Sequence, residues 1–566
     1  MQNTFCHKDK IISDNKEIAK HFNNFFVNIG PTLSNKIPFT EGNIKDYLTR
    51  VQSQIFLAPV NETEIAQVIK NLKDSSSGWD EIDASILKFS LSSIIVPFTH
   101  ICNLSLLNGI FPNELKIARV CPIFKNGNPM HFVQYRPVSV LPVMSKVLER
   151  IMYNRVYTFL QDLELLYKFQ FGFRPNHSTE LALMLSVDKI ISALDKNNFV
   201  LGVFLDFSKA FDTIDHNILL QKLDNYGIRG VANKWFESYL KNRYQYVCYN
   251  GTNSSYGKIV CGVPQGSILG PLLFLIYIND LASICSDIFP VMYADDSNLF
   301  VEGADLAALQ NTMNDELVKV SRWLKLNKLS LNIDKTHFML FKKRRQHVVF
   351  VPEIYIDSNP IHQISNTKFL GVYIDEHLTW QTHINYISGK ISKGIGILKK
   401  AKRYLNKSTL HLLYYTFIYP YLGYCNIIWG NTYTKYLSKL QILQKKIVRL
   451  IENLKFREHT YLSFKKLRIL KCREIHKYQI GQFIYKHKEN LFPPLFTCLF
   501  HTSTHGYNTR IRNNYVAHRY SIDLARRSLR HEGIIYWNEI CDTIGTCTTI
   551  DTFKCNLKKY LLDTQQ

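Results

Sequence analysis

The stretch IFPVMYADDSNLFV, residues 288–301, decides the fold of this 566-residue chain. Two apolar runs flank Tyr293-Ala294-Asp295-Asp296, and this layout predicts a β-hairpin with two adjacent carboxylates at its tip. Neighbouring aspartates repel each other, so the pair is favourable where a divalent cation such as Mg²⁺ accepts their oxygens. Most Asp-Asp pairs in turns are solvated residues without a metal-binding role. The surrounding sequence is therefore needed to distinguish the two interpretations.

A further carboxylate follows an apolar strand upstream of this hairpin. The run FVLGVFL, residues 199–205, is followed by Asp206 in the segment FLDFSKAFD, residues 204–212. Between the two carboxylate sites lies GVPQGSILGP, residues 262–271, which predicts a turn that opens an apolar helix. A strand-end aspartate and a hairpin-tip pair on one sheet are the minimum that a two-metal phosphoryl-transfer site requires.

In this order, the three elements resemble the catalytic motifs of reverse transcriptases from non-LTR (LINE, jockey-like) retrotransposons. Further motifs occur in the family's order and extend the resemblance over nearly the whole chain: ARVCPIFK 118–125, YRPVS 135–139, FGFRP 171–175, LKLNKLSLNIDKT 324–336, KFLGV 368–372 and HGYNTR 505–510. Such elements usually carry an endonuclease ahead of the polymerase. Here NKEIAKHF, residues 15–22, resembles the segment that joins those domains, so we expect a truncated or split reading frame without its own endonuclease.

The resemblance implies an α+β right-hand polymerase with fingers, a ferredoxin-like antiparallel palm sheet, a helical thumb and a basic, mainly helical C-terminal region. The expected segments are an N-terminal helical segment 1–60, fingers 61–200, palm 200–378, thumb 380–450 and a basic helical domain 451–566. Independently, apolar residues recur at helical spacing in the expected thumb: Ile384, Ile387, Ile391, Ile395 and Leu398.

The resemblance also implies roles for individual residues. Asp206, Asp295 and Asp296 are the expected catalytic carboxylates, and Asp206, Asp295 and the Phe207 carbonyl are expected to hold two Mg²⁺ ions, for which Mn²⁺ can substitute. The expected nucleotide-binding residues are Lys125, Arg136, Phe211, Gln265, Gly266 and Lys335. Gln265 and Gly266 are expected to begin the helix after Pro264. Phe211 is either a gate against the ribose 2′-hydroxyl or a core residue. Asp212 and Asp215 are expected to cap the following helix.

Positive charge is concentrated in the last third of the chain. Residues 381–566 contain 31 Lys and Arg against 10 Asp and Glu, a net of +21 out of +23 for the whole sequence. An excess of this kind indicates a polyanion-binding surface. The cluster Lys465, Lys466, Arg468, Lys471 and Arg473 is the expected nucleic-acid contact, with solvated helix faces as the alternative.

Composition indicates the cellular compartment in which the chain works. The twelve cysteines include no C-x-x-C pair, which indicates neither a disulfide framework nor a zinc ribbon. No N-terminal segment suits a signal peptide, and the apolar run 268–278 is too short to cross a bilayer. We therefore expect an intracellular protein, in the nucleus or cytoplasm, without a membrane partner. The oligomeric state stays open.

The expected function is RNA-directed DNA polymerisation, in which element RNA is copied from a DNA 3′-hydroxyl with dNTP substrates. Two alternatives remain at this stage. One is a catalytically decayed or domesticated nucleic-acid-binding protein with the same fold, against which the three intact aspartates argue. The other is an RNA-dependent RNA polymerase, against which Tyr293-Ala294 and a gate at Phe211 argue.

Overall fold

The computed structural model of the chain describes residues 4–7, 10–74, 76–348, 350–502, 515–545 and 547–565, so the 505–510 motif lies outside the described residues. The strands are β1 Phe5–His7, β2 Lys10–Ile12, β3 Ile117–Phe124, β4 Tyr135–Val140, β5 Phe199–Leu205, β6 Arg243–Tyr249, β7 Thr252–Asn253, β8 Gly257–Ile259, β9 Phe289–Tyr293, β10 Asp296–Gly303, β11 His337–Phe341, β12 Tyr355–Ile356, β13 Asn359–Pro360, β14 His362–Gln363, β15 Asn366–Phe369 and β16 Val372–Asp375.

The α-helices of the described residues alternate with these strands up to residue 375 and then follow one another without strands between them. They are α1 Asn15–Ser34, α2 Glu62–Lys70, α3 Ala84–Phe89, α4 Leu91–Asn108, α5 Val143–Asp162, α6 Thr179–Asp195, α7 His216–Asn225, α8 Val231–Leu240, α9 Leu269–Ile278, α10 Leu306–Leu326, α11 Gln381–Ala401, α12 Lys407–Phe417, α13 Tyr419–Gly423, α14 Asn426–Trp429, α15 Thr434–Glu452, α16 Tyr461–Lys466, α17 Cys472–Lys488, α18 Asp523–Arg526, α19 Ile534–Ile544 and α20 Ile550–Thr564.

The central sheet has the strand order β14-β11-β5-β10-β9. Its four strands β11, β5, β10 and β9 pair antiparallel, as expected, whereas β14 pairs parallel to β11 at the edge. The expectation of a wholly antiparallel sheet is therefore wrong at this edge. The physical reason is the short β12–β13 hairpin, which reverses the chain before β14 and lets it run alongside β11.

Strand β5 is uniformly apolar because both of its faces are covered. All seven of its residues are buried. Leu201, Val203 and Leu205 belong to one hydrophobic cluster, and the alternating residues Val200 and Phe204 belong to a second one on the opposite face. Gly202 is required between them, because a Cβ there would lie 2.9 Å from the Phe300 ring and 3.2 Å from the Phe341 ring.

A second sheet has the order β4-β3-β6-β7, with β8 on β6, and its strands come from both sides of β5 in the sequence. Strand β6 pairs parallel to β3 although more than a hundred residues separate them in sequence. Segments on both sides of the expected boundary at residue 200 thus share one sheet. Helix α1 packs on this sheet through Phe22, which meets the rings of Tyr135 and Tyr249 edge to face or tilted.

The N-terminal segment is less helical than expected. Helix α1 covers the predicted helical run, and Asp14 caps it by accepting a hydrogen bond from the Glu17 backbone N–H. Strands β1 and β2, of three residues each, precede it. Segments this short are too brief to establish a periodic pattern, which explains why the sequence did not predict them.

In residues 381–565, the regular secondary structure of the described residues is helical. These helices pack on one face of the central sheet. The expected helical spacing is confirmed in α11, where Ile384, Ile387, Ile391 and Leu398 are buried. The hydrophobic cluster that contains them also contains Val200, Phe204 and Met339 of the sheet. The ion pair between Arg530 and Asp188 of α6, at 2.8 Å, adds a second link between the C-terminal region and the sheet layer.

Helix α4 is long and apolar enough to cross a membrane by length and composition alone, and 22% of its 18-residue span is buried. Core helices of proteins that meet no membrane pass the same test. The sequence did not indicate α4 as such a segment, unlike the run 268–278, because Ser, Thr and His residues interrupt it. The absence of a membrane partner stays a prediction.

Candidate active site

The β9–β10 hairpin carries the aspartate pair at its tip, as predicted. The two strands pair from Asp296 with Tyr293 through Phe300 with Phe289, which leaves Ala294 and Asp295 in the turn. Ala294 has a φ of +56°, in the left-handed region. The Gln170 side-chain oxygen accepts hydrogen bonds from the backbone N–H groups of Ala294 at 2.9 Å and Gly172 at 2.8 Å. These bonds hold the strained turn in place.

Asp206 lies directly beyond β5 at the same end of the sheet. The register pairs Ser297 with Leu205, and one further step along both strands sets Asp296 opposite Asp206. The backbone of Asp206 is fixed on its other side. Its carbonyl accepts from the Asn332 N–H at 2.8 Å, and its N–H donates to the Thr336 hydroxyl at 3.3 Å. The fold therefore brings the three predicted carboxylates together.

The carboxylates form a cluster of mutually repelling negative charge. Burial raises the pKa of Asp296 to about 6, and the charges of Asp295 and Asp206 add to this effect. The pKa of Asp295 is also raised, first by burial and then by Asp206, while Lys125 and Arg136 oppose the rise. Both side chains still reach solvent at the surface of the cleft. The surrounding protein atoms therefore desolvate the two carboxylates although they do not enclose them.

Hard cations suit such a cluster because they neutralise charge through carboxylate oxygens. Among the residues that the structure describes, no three His, Cys, Asp or Glu side chains lie close enough together to hold a metal ion as they stand. Phe207, the expected carbonyl ligand, is bridged to Leu331 next to them. Their ligation of metal stays a prediction.

Three cationic side chains interact with the carboxylates. Lys335 Nζ lies 3.9 Å from Asp206 Oδ2. The positive charges of Lys125 and Arg136 lower the pKa of Asp295. Lys125 is exposed directly after β3, and Arg136 is exposed on β4. A further cation, Lys209, lies near these three and was not among the predicted site residues. Burial lowers its pKa, Asp212 opposes this, and the positive charges of Lys125, Arg136 and Lys335 lower it further.

Lys209 had a signal in the sequence, because it belongs to the same FLDFSKAFD segment as Asp206. It has a φ of +53°, which turns the chain sharply after the strand. The charges that act on Lys209 show that it lies near Lys125, Arg136 and Lys335. Positive charge thus gathers beside the carboxylates, an arrangement suited to a polyphosphate.

Phe211 is half-buried beside the carboxylate end of the sheet. Its ring stacks on Phe274 of α9, with centroids 4.4 Å apart, and the Phe173 ring meets its edge at 5.9 Å. Both proposed roles of Phe211 therefore have a structural basis. One face packs on the core, and the residue remains accessible from the cleft.

The predicted helix start at Gln265 is wrong, because α9 begins four residues later, at Leu269. Gln265 and Gly266 instead form a turn held by the second sheet, in which the Ser139 N–H donates to the Gln265 carbonyl at 2.8 Å. A Cβ on Gly266 would lie 2.4 Å from the Ser139 carbonyl oxygen. The close approach of these two backbones explains the glycine.

Asp212 does not cap the following helix as expected. Asp215 does so, by accepting from the Asn217 and Ile218 backbone N–H groups. Asp212 Oδ1 instead accepts a hydrogen bond of 2.7 Å from the Gln265 amide, and its buried Oδ2 has no partner among the described residues. Burial raises the pKa of Asp212 to about 6. The predicted nucleotide-binding Gln265 is thus oriented by a carboxylate whose role the sequence did not indicate.

The expected nucleic-acid cluster in the C-terminal region is only partly free for phosphate. Lys466 and Lys407 both pair with the carboxylate of Glu452. Lys471 is buried, with its ammonium near the rings of Tyr461 and Phe464. The inclusion of Lys471 as a solvent-facing contact is therefore wrong, because it packs between aromatic rings. Arg468 and Arg473 are exposed, and Lys465 is partly exposed.

The chain is similar to known proteins over the part that builds this site. Residues 123–374 match the family described as reverse transcriptase (RNA-dependent DNA polymerase). The "Probable RNA-directed DNA polymerase from transposon X-element" of Drosophila melanogaster is 28% identical over 411 residues, which cover 71% of this chain and 45% of the relative. The "RNA-directed DNA polymerase from mobile element jockey" of the same organism is 28% identical over 429 residues, which cover 72% of this chain and 46% of the relative.

A third relative comes from another element. The "Retrovirus-related Pol polyprotein from type-1 retrotransposable element R1" of Bradysia coprophila is 28% identical over 359 residues, which cover 61% of this chain and 34% of the relative. The chain spans about half the length of the first two relatives. The family match runs through residues 206–296 and so includes the carboxylate cluster.

Proposed function

Because residues 123–374 form a reverse transcriptase domain, we propose that this chain is an RNA-directed DNA polymerase of a non-LTR retrotransposon. One observation carries the proposal. Within the matched segment, Asp206, Asp295 and Asp296 meet at one end of the central sheet and are faced by cations. The proposed substrates are dNTPs, a DNA 3′-hydroxyl primer and an RNA template, with a separate endonuclease as a further partner. The proposed site of action is intracellular, in the nucleus or cytoplasm.

The proposed architecture is a right hand. In it the β14-β11-β5-β10-β9 sheet is the palm, the β4-β3-β6-β7 sheet and its helices are the fingers, and α11–α15 form the thumb. Such an arrangement would place Lys125 and Arg136 above the carboxylates from the fingers side. It would also bring the helical region 381–452 to the side where a product duplex leaves the cleft.

The residues present fit a pair of Mg²⁺ ions, with Mn²⁺ as a substitute, because the charges of Asp206 and Asp295 raise the pKa of Asp296, and a cation would relieve this repulsion. Asp206, Asp295 and the Phe207 carbonyl would hold them, with Asp296 as the third carboxylate. When bound, divalent ions neutralise the charge that develops on the phosphoryl and leaving oxygens.

The side chains of this chain supply positioning and charge. Arg136 presents a planar fork and Lys125 a point charge to the triphosphate, which orients the α-phosphate for attack by the primer hydroxyl. Lys335, at 3.9 Å from Asp206, is in position to stabilise the departing pyrophosphate. Gln265 and Gly266 meet the incoming nucleotide, with the Gln265 amide oriented by Asp212.

A catalytically decayed nucleic-acid-binding protein remains the second candidate, since it would have the same fold and the same basic C-terminal region. An RNA-dependent RNA polymerase would also use the carboxylates. Primer extension on an RNA template, with dNTPs compared with rNTPs, separates the three functions. We expect extension with dNTPs.

Replacing Asp295 or Asp206 by Asn tests the assignment of the centre. Each substitution removes a charge that metal and phosphates require, so extension in Mg²⁺ should fall by at least about a hundredfold. RNA binding and the unfolding midpoint should change little, because neither side chain belongs to the core. The matched control is Asp315→Asn on the exposed face of α10, which should keep wild-type extension. Wild-type turnover of Asp295→Asn would exclude this centre.

A further inference from the structure

A cavity of about 370 Å³ lies where β15 and β16 meet the helices α11, α12 and α13. Its walls include three tyrosines, Tyr386, Tyr421 and Tyr424, together with Phe417. Lys368 and His383 are its only ionisable side chains other than the tyrosines, and no acidic residue of the described chain lines it. The described lining is therefore mainly aromatic and apolar, with one lysine and no carboxylate.

Lys368 is held over the aromatic wall. Its ammonium lies 4.9 Å from the centroid of the Tyr386 ring and 3.4 Å from the Tyr386 hydroxyl. Lys390 lies 5.5 Å from the same ring. Two cations thus flank one tyrosine whose ring is only partly buried. This pairing of a flat ring with adjacent ammonium groups suits a ligand that has both a flat π-face and a negative charge.

His383 is a buried, neutral part of the wall. It is 2% exposed, and its Nδ1 accepts from the Tyr373 N–H at 3.4 Å. Burial and the charge of Lys368 lower the pKa of His383 to about 4, so the ring is neutral and Nε2 carries the proton. This Nε2 has no partner among the described residues. Because the Nε2 atom is itself buried, His383 shapes the wall as a neutral ring and leaves the charge of the lining to Lys368.

The β15–β16 hairpin at the cavity packs on the central sheet through aromatic rings. Lys368 precedes Phe369, whose ring lies 6.3 Å from that of Phe204, two residues before Asp206. The Tyr424 hydroxyl donates to the Leu370 carbonyl at 2.7 Å and lies 3.0 Å from the Thr179 hydroxyl, which fixes one wall of the cavity. A Cβ on Gly371 would lie 3.1 Å from the Tyr424 ring, so the glycine keeps this wall close.

We propose that this cavity binds one unpaired nucleotide of the bound nucleic acid, with its base on Tyr386 and its phosphate beside Lys368 and Lys390. The inference rests on the proposed function, because it assumes that a primer–template lies in the cleft. The shared chemistry is a base and its 5′-phosphate. Either the DNA primer or the RNA template can supply them, and the experiment distinguishes these two sources.

The test uses the full chain and an RNA–DNA hybrid in four forms. One is blunt, one has a single unpaired 3′ nucleotide on the DNA, one has it on the RNA, and one has an abasic overhang. The unpaired base is 2-aminopurine, whose fluorescence falls on stacking. We expect tighter binding and quenching with one of the two base overhangs than with the blunt or abasic hybrid. Loss of the stacking face in Tyr386→Leu should weaken that preference by roughly 5- to 150-fold.

Matched variants make the result decisive. Tyr386→Phe keeps the ring and should keep the preference, and Lys368→Gln should reduce it. The control pair is Lys435 and Tyr436 on α15, where the ammonium lies 5.0 Å from the ring centroid but neither residue lines the cavity. Tyr436→Leu and Lys435→Gln should bind like the wild type.

Three outcomes would overturn the proposal: equal affinity of the wild type for overhang and blunt hybrids, an abasic overhang as effective as a base, or an unchanged preference in Tyr386→Leu. Primer extension is measured in parallel on a fully paired primer. If extension fails while the overhang preference persists, the proposed function fails and the binding pocket stands. If extension succeeds without an overhang preference, only the pocket is excluded.

Discussion

At the scale of single residues, Phe211 shows how one side chain can belong to the core and to the cleft. Its stacking on Phe274 fixes the ring plane, while the residue remains only half-buried. A rigid ring at a cleft wall is a better steric barrier than a mobile one, because it cannot move away from a larger ligand. The packing that supports a core role thus also supports the gate hypothesis.

We predict that Phe211→Val raises incorporation of rNTPs relative to dNTPs. The shorter side chain opens space for a ribose 2′-hydroxyl, and removing a pocket clash changes discrimination by about 1–3 kcal/mol, or roughly tenfold to a hundredfold. The measurement is the ratio of kcat/KM for matched dNTP and rNTP substrates. The control is Phe173→Leu, which removes the edge contact on Phe211 but leaves the Phe211 ring in place. It should leave the ratio near the wild-type value. An unchanged ratio in an active Phe211→Val protein would assign Phe211 to the core alone.

The carboxylates could be predicted from the sequence because local patterns define them. Asp206 ends an apolar run, and Asp295 lies between two short apolar strands, so each position follows from its own neighbours. Asp212 and Lys209 could not be assigned in this way. Their partners, Gln265 and the three other cations, come from segments that only the folded chain brings together.

At the scale of elements, the N-terminus of helix α9 is capped by a residue that is distant in sequence. Glu149 of α5 is fully buried, and one of its oxygens accepts from the backbone N–H groups of Ile268 at 2.6 Å and Leu269 at 3.2 Å. Its other oxygen accepts from the Ser145 hydroxyl at 3.1 Å. A helix N-terminus has unpaired N–H groups that favour a negative partner. The sequence could not reveal this cap, because it lies more than a hundred residues away.

We predict that Glu149→Gln destabilises the protein by about 1.5–3 kcal/mol, the typical contribution of a hydrogen bond to a charged group. The amide keeps the shape of the side chain but removes its charge from the N-terminus of α9 and from the nearby Arg243. Urea unfolding monitored by circular dichroism measures the difference. Glu164→Gln, at an exposed position after α5, should stay within about 0.5 kcal/mol of the wild type. Equal stability of both variants would show that the cap is dispensable.

A second element-scale contact joins helices α14 and α17 and depends on pH. His476 is buried, and its Nδ1 lies 2.9 Å from the Asn426 side-chain oxygen and 3.1 Å from the Asn426 carbonyl. Burial lowers the pKa of His476 from 6.5 to about 4. Between these values the unfolded chain binds a proton that the folded chain does not. Stability therefore falls as the pH drops through this window and is regained as the pH rises.

The expected loss from His476 is about 2 kcal/mol between pH 7 and pH 5. His476→Gln keeps an N–H donor without titrating, so its free energy of unfolding should decline less steeply over this range. Urea unfolding at the two pH values gives the comparison. His100→Gln, at an exposed position on α4, should keep the wild-type slope. If both variants decline as the wild type does, proton binding at His476 does not control acid stability.

At the scale of the whole molecule, the C-terminal region is part of the main body. The hydrophobic cluster of residues 381–565 includes Val200, Phe204 and Met339 of the central sheet. An isolated fragment 381–566 would expose these contact surfaces, so its nucleic-acid binding has to be tested in the full chain. The sequence predicted the helices and the charge of this region from composition and periodicity. It could not predict the shared core, because packing between distant segments leaves no local pattern.

The last prediction concerns the charge of this region. Of the expected cluster, Lys465, Arg468 and Arg473 remain available to phosphates, whereas Lys466 is paired and Lys471 is buried. Neutralising these three residues should weaken binding of RNA and DNA with little dependence on sequence. Each lost phosphate contact reduces the slope of log K against log salt by about 0.9 for duplex DNA and about 0.7 for single strands, so the slope should fall by about 2–3.

Fluorescence anisotropy over a salt series measures this slope in the full chain. Neutralising Lys36, Lys45 and Lys70, which are exposed in the nearly neutral first part of the sequence, changes the net charge by the same amount. A general charge effect would affect both triple variants alike, whereas a local phosphate-binding surface affects only the first. If the slope is unchanged in the first variant, the three side chains are a solvated face. The concentrated charge would then have to bind nucleic acid through the basic segment 390–407, which adjoins the aromatic cavity at α11.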